Sequence, residues 1–187
     1  EALTTRFYEA CREAGFASVN MDLVYGLPRQ TPDTFRTTLA RVIELAPDRL
    51  AVFGYAHVPW ARPNQAAIDA AALPSPQVRF ALYRLAVETL TDAGYVWIGL
   101  DHFARPADEL SLALAQKRLH RNFMGYTTHA DLDLVAVGNS AISDVRGRFA
   151  QNAAEVADYE AGVAAGRLPV VKGMRLSEDD ELRRLVI

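Results

Sequence analysis

The sequence predicts an α/β fold, a parallel sheet with crossover helices that forms part of a larger (β/α) barrel. Three observations carry this expectation. Strand-like and helix-like stretches alternate along the chain. Several strands are extended and apolar, as strands covered on both faces are. The connections carry Gly, Pro and helix-capping residues at the places where one element would hand over to the next.

The first element runs from about Leu3 to Ala14 and closes at Gly15, a residue suited to the position just past a helix C-terminus. Ser18 to Val24 reads as a strand, broken by Tyr25-Gly26-Leu27-Pro28. Thr31-Pro32-Asp33 starts a helix with an N-cap hydroxyl, a proline at the first helical position and an acid facing the dipole. Phe35, Leu39, Val42, Ile43 and Ala46 form its apolar stripe, and Pro47 ends it. The unit then repeats. Leu50 to Tyr55 is a strand, Ser75-Pro76 starts a helix with Val78, Leu82, Leu85, Ala86 and Leu90 on one face, and Gly94 closes it. Tyr95 to Leu100 is expected as a third strand, Ala107 to Leu119 as a helix, and Leu132 to Val137 as a fourth strand. Asn152 is expected to cap a helix reaching Ala165, and Ser177 a last helix running to the chain end. The expected division is 1–145, the C-terminal part of a barrel with its extension, and 146–187, the start of a helical region.

Composition narrows the function classes. Half of the 187 residues are apolar and the formal net charge is −3, a globular balance that gives no basic footprint for nucleic acid. No window approaches the roughly 18 apolar residues of a membrane span. The first residues show no basic and then apolar leader, so the expectation is a cytoplasmic protein with neither nucleic-acid nor membrane partners. Cys11 is the single cysteine. It cannot form an intrachain disulfide or alone supply the thiolates of a zinc or iron–sulfur site, and its mid-helix position reads as packing. No glycine-rich dinucleotide or triphosphate loop is present.

The residues with chemical potential gather where parallel α/β folds place their sites, at the C-terminal ends of strands. Asp22 lies within or just inside the end of the first strand, and Tyr55, Ala56 and His57 end the second. Asp101, His102, Phe103 and Arg105 follow the third, and Gly138 to Ile142 follow the fourth. Asp22 either bonds neighbouring backbone amides or meets ligand donors. Arg105, Arg118 and Arg121 either clamp carboxylates or are solvated loop arginines. His57, His102, His120 and His129 match no metal-ligand spacing, so no metal site is expected in this chain.

These residues sit in blocks that resemble one family. The blocks are 20–32, containing Asp22-Leu23-Val24-Tyr25-Gly26-Leu27-Pro28, then 47–57, then Asp101-His102-Phe103-Ala104-Arg105-Pro106, then His120-Arg121-Asn122-Phe123 with Gly125-Tyr126. In order and over essentially the whole chain they resemble the oxygen-independent coproporphyrinogen III oxidases, radical S-adenosylmethionine (SAM) enzymes. The resemblance implies a radical-SAM-type partial (β/α) barrel. It also implies a 4Fe–4S cluster that cleaves SAM reductively, giving a 5′-deoxyadenosyl radical that takes a hydrogen from a propionate of coproporphyrinogen III. Loss of CO₂ and one electron leaves a vinyl group, and two such events give protoporphyrinogen IX in haem biosynthesis.

Residue by residue, the family's SAM contacts fall on Asp22, Ala56 and Ile142, the last toward a second SAM. His102, Arg105 and Arg121 are the candidates for holding substrate propionates, with an electron donor as a further partner and a monomer as the expected state. The family's cluster motif, CxxxCxxC, is absent from this sequence, as is its glycine-rich segment. The chain is therefore expected to be an internal stretch that is inactive by itself. Met124 stands where family members often carry glutamine. The neighbouring readings are a radical-SAM haem chaperone, which shares the Asp22 to Pro28 block, and a non-catalytic tetrapyrrole-binding module.

Overall fold

The computed structural model describes residues 2–122, 124–130 and 132–184. It divides into two compact units, Glu1–Arg118 and Leu119–Ile187, so the division falls upstream of the expected 145/146 boundary.

The first unit contains α1 (Ala2–Glu13), β1 (Asn20–Tyr25), α2 (Pro32–Leu45), β2 (Arg49–Gly54), α3 (Pro76–Asp92), β3 (Val96–Gly99), β4 (His102–Ala104) and α4 (Glu109–Ala115). The starts of α2 and α3 follow the sequence signals. The Thr31 hydroxyl accepts from the Thr34 amide while the Thr34 hydroxyl accepts from the Thr31 amide, a reciprocal cap built from two threonines. Ser75 Oγ accepts from the Val78 amide at 3.3 Å, and a proline opens each helix. Helix α2 ends on Ala46 in the left-handed region (φ 55°, ψ 52°), and Pro47 prevents its continuation.

The sheet runs in the order β1-β2-β4-β3. Strands β1 and β2 are parallel and joined through α2, as the alternation predicted. The third strand departs from expectation. It is confined to Val96–Gly99 and does not neighbour β2, because β4 lies between them, antiparallel to both. The chain reverses at Gly99 (φ 143°) and Leu100 (φ 48°). The returning strand is only three residues long, too short to show a period.

The core forms on one face of this sheet. Phe35, Leu39 and Val42 from α2 and Leu82, Ala86 and Leu90 from α3 close over Leu50, Val52 and Phe103. Alternation along β1 turns Met21, Leu23 and Tyr25 toward this core and leaves Asn20, Asp22 and Val24 on the other face, where all three are exposed.

The second unit contains the hairpin β5 (His120–Asn122) and β6 (Gly125–Thr127) and an antiparallel sheet of β7 (Ile142–Val145), β8 (Arg148–Asn152) and β9 (Val170–Arg175). Helices α5 (Val156–Ala164) and α6 (Glu178–Arg184) complete it. The Arg146-Gly147 turn (φ 47° and 71°) joins β7 to β8 as a two-residue hairpin.

Two sequence expectations are corrected here. Leu132 to Val137 forms no strand, only a single bridge from Leu134 to Asp144. Asn152 does not cap a helix but ends β8, and its Nδ2 donates to the Gly138 carbonyl at 2.9 Å. Helix α5 begins later, at Val156. The Ser177 cap is formed: Ser177 Oγ accepts from the Asp180 amide, and Asp180 Oδ2 accepts from both the amide and the hydroxyl of Ser177. Where this helix meets the chain end lies outside the described residues.

Candidate functional site

In a parallel pair, residues in register point to the same side, and the same holds across an antiparallel pair. The registers Asp22↔Ala51 and Ala51↔His102 therefore set Asp22, Ala51 and His102 in one cross-strand row on the face away from the helices. Val24 and Phe53 lie one pleat further toward the strand ends, and the Phe53 ring meets the His102 imidazole edge-on at 6.4 Å between centroids. Asp22 is exposed and accepts from Asn20 Nδ2 at 2.7 Å. His102 Nδ1 lies 2.7 Å from Asp101 Oδ1, and the Asp101 carbonyl accepts from the Val52 amide at 2.7 Å. Asp101 is thereby tied to β2 and fixes the imidazole through Nδ1. The face presents an acceptor and an oriented imidazole around an apolar step, so it can bind a mixed polar and apolar ligand.

The C-terminal ends of β1 and β2 form the rim. Gln30 holds the turn after β1, where its Oε1 accepts from the Gly26 amide at 2.6 Å and its Nε2 donates to the Val24 carbonyl. The Tyr55 amide donates to the Tyr25 carbonyl and extends the pairing past β2. Ala56 is exposed, its carbonyl accepts from Gln65 Nε2 at 3.1 Å, and Gln65 Oε1 accepts from the Val58 amide at 2.6 Å. One glutamine thus pins the backbone on both sides of His57, whose Nδ1 lies 3.3 Å from the Tyr55 hydroxyl. Arg79, half-buried at the start of α3, crosses both strand ends. A Cβ at Gly54 would lie 3.1 Å from the Tyr25 hydroxyl and 3.3 Å from Arg79 Nη2, which explains the glycine there. Gln65 and Arg79 were not singled out from the sequence. Gln65 lies in a Pro- and Ala-rich loop without periodicity, and Arg79 reads as one polar position of an amphipathic helix.

The remaining candidates fall elsewhere. Arg105 is not at the rim: β4 is antiparallel, so Ala104 pairs with Arg49 at the start of β2 and the Arg105 amide donates to the Asp48 carbonyl. Beside it, burial raises the pKa of the Tyr95 hydroxyl while Arg105 acts in the opposite direction. Arg105 is therefore corrected from a rim residue to one at the opposite end of the sheet. Ile142 and Arg121 belong to the second unit. Ile142 opens β7 opposite Gln151, half-buried. Arg121 is exposed on β5 opposite Tyr126.

The fit to the implied groups can be judged on these residues. An exposed carboxylate on the sheet face and a pinned backbone at Ala56, where the side chain is a single methyl, suit the polar and adenine parts of SAM. An iron–sulfur cluster does not fit this chain. Among the described residues no three His, Cys, Asp or Glu side chains come together to hold a metal ion, and Cys11 is the single thiol. Among the described residues no helix is long and apolar enough to cross a membrane.

No protein-family model matches the sequence. Curated relatives and a solved structure do. The chain is 46% identical over 184 residues to the oxygen-independent coproporphyrinogen III oxidase of Pseudomonas aeruginosa, covering 98% of this chain and 40% of that protein. It is 49% identical over 176 residues to the Escherichia coli enzyme of the same name, covering 94% of this chain and 38% of that one. The structure of HemN from Escherichia coli, a coproporphyrinogen III oxidase described as a radical SAM enzyme, superimposes with a TM-score of 0.92 at 47% identity, over 98% of this chain and 42% of that one.

The fold is thus that of a radical SAM enzyme. More narrowly, the chain is homologous throughout to a stretch of the oxygen-independent coproporphyrinogen III oxidases, and it spans about two fifths of the length of these relatives.

Proposed function

We propose that the protein to which this chain belongs is an oxygen-independent coproporphyrinogen III oxidase that converts two propionates of coproporphyrinogen III into vinyls. The observation that supports this most is similarity at 46–49% identity across nearly the whole chain to oxidases of that name. When bound, SAM and a reduced 4Fe–4S cluster supply a radical able to abstract hydrogen from carbon.

This chain's own residues bind and orient. Asp22 accepts hydrogen bonds from the polar part of one SAM, and its position on the exposed side of β1 leaves the carboxylate reachable. Ala56 offers backbone groups where a larger side chain would obstruct, with Gln65 holding the loop. Ile142 gives an apolar contact to a second SAM. His102, oriented by Asp101, and Arg121 hold propionate carboxylates, while Arg105 drops out of this set because of its place at the start of β2. The reading includes a separate electron donor and a cytoplasmic monomer.

The chain by itself, with one cysteine, is expected to give no broad iron–sulfur absorbance after anaerobic reconstitution, and a four-iron product would contradict this. The function is tested by incubating the full-length protein anaerobically with coproporphyrinogen III, SAM and a reductant. Protoporphyrinogen IX should form with release of two CO₂ per product. Tight haem binding without decarboxylation would instead make it a haem chaperone.

A further inference from the structure

The second unit holds a cleft of about 790 Å³ between the β5–β6 hairpin and the region of β7 and α6, a size in the range of small-molecule sites. Its charges are unevenly satisfied. Asp144 is buried, and its Oδ2 accepts from Arg184 Nη2 at 2.6 Å. Asp133 Oδ1 accepts from the Arg146 amide at 2.9 Å, with the Arg146 guanidinium 4.0 Å away. These two acids are therefore compensated within the cleft wall. Glu181 lies against Gly147 on the α6 side.

On the hairpin side the balance is reversed. His120, Arg121 and His129 line the cleft, and their side chains have no hydrogen-bond or ion-pair partner among the described residues. The turn after β6 is itself fixed, since the His129 amide donates to Thr127 Oγ1 at 3.1 Å. Three donor side chains line the hairpin side of a polar cleft, while Asp144 and Asp133 are engaged within its wall. That arrangement awaits an anion. The planar guanidinium fork matches a carboxylate, and two imidazoles add donors to its remaining lone pairs.

We propose that this cleft is a carboxylate-binding site in which His120 and His129 act with Arg121 to hold a carboxylate side arm of the substrate. The inference rests on the coproporphyrinogen reading for the identity of the ligand but not for its charge chemistry. The polar lining suits a propionate arm and not the apolar macrocycle that carries it.

The test uses the full-length protein and two probes. The first is coproporphyrin III, the oxidised and fluorescent form of the substrate, compared with its tetramethyl ester, which has the same ring without the charges. Arg121→Gln and the His120→Gln/His129→Gln pair should each weaken coproporphyrin III binding by about tenfold or more, the loss of one charge-assisted hydrogen bond. They should leave the weaker ester binding unchanged. All three residues are exposed and have no side-chain partner among the described residues, so the variants should keep the parent unfolding midpoint. The second probe is succinate, followed by the ¹⁵N imidazole resonances of His120 and His129, which should shift in the parent protein and not in Arg121→Gln. Inorganic phosphate should compete less well than succinate; equal competition would mean a general anion site and overturn the carboxylate assignment. Unchanged coproporphyrin III affinity in both variants would overturn the inference and leave the oxidase reading standing. If the parent protein neither binds nor decarboxylates the porphyrin yet the succinate shifts appear, the oxidase reading fails and the carboxylate site stands. Absence of those shifts overturns the site whatever the porphyrin does.

Discussion

Replacing Asp22 by asparagine separates a ligand-binding role from a structural one, because the two roles cost free energy in different experiments. The substitution keeps the shape and removes the charge. In the structure Asp22 is exposed on β1, and its hydrogen bond comes from Asn20 Nδ2, itself exposed. A hydrogen bond in that setting contributes at most about 1 kcal/mol to folding. The loss in the bound state is larger. A charge-assisted hydrogen bond from the carboxylate to a SAM donor contributes about 1.5–3 kcal/mol, so the dissociation constant should rise roughly 10- to 150-fold. Titration calorimetry of SAM into the reconstituted full-length protein measures the loss in binding, and thermal unfolding of the same sample measures the loss in folding stability. The expected result is a large loss of affinity with a melting temperature within a few degrees of the parent. Unchanged affinity with a marked fall in melting temperature would refute the ligand role and return Asp22 to the sheet.

Other features carry measurable consequences for stability. Asp108, whose side chain is 5% exposed, accepts from Arg49 Nε at 2.8 Å and caps α4 through the Leu110 amide. Asp108→Ala should destabilise the first unit by about 1–2 kcal/mol in chemical denaturation, since it removes a helix cap and one of the two carboxylates that meet Arg49, whose Nη2 still donates to Glu109 Oε1 at 2.8 Å; a loss below about 0.5 kcal/mol would contradict the pairing. Ala46 occupies the left-handed region at the end of α2, so Ala46→Gly should stabilise by about 0.5–1 kcal/mol despite glycine's greater freedom when unfolded. Hydrogen bonds from the hydroxyl and then the amide of Ser177 hold the Asp180 carboxyl below its ordinary pKa. A lowered folded-state value means that the contribution is present above the unfolded pKa and is lost as pH falls through the folded one. The protection of the Ser177 amide relative to its intrinsic exchange rate should therefore fall as pH falls through that window, and in Asp180→Ala that protection should be missing on both sides of it.

The sequence was most legible where side-chain chemistry acts locally. The Thr31 and Ser75 caps, the apolar stripes of α2 and α3 and the β1–α2–β2 unit all depend on residues a few positions apart, and all appear where expected. The second unit was legible only in part. Its strands β7 to β9 are held by antiparallel pairing, and β9 is exposed along its whole length, so it shows no alternation of apolar and polar residues. The stretch from Leu132 to Val137 has the composition of a strand but finds only one bridge, because composition does not supply a partner. The same limit governs the site. Asp22 could be flagged as an acid in an apolar strand, yet its row with His102 exists only because β4 turns back beside β2. That reversal also carries Arg105 to the far end of the sheet. The Gln65 bridge to Ala56 spans nine positions of irregular loop, and no local pattern announces it.

The central claim is that SAM meets this chain on the open face of the β1–β2 pair and at the rim beyond it. Hydrogen exchange of the full-length, cluster-loaded protein with and without SAM tests it most directly. Bound SAM should slow exchange in residues 20–26 and 54–58, and the effect at 20–26 should shrink in Asp22→Asn at the same SAM concentration. Protection confined to other parts of the protein, with both segments exchanging at their free rates, would contradict the claim.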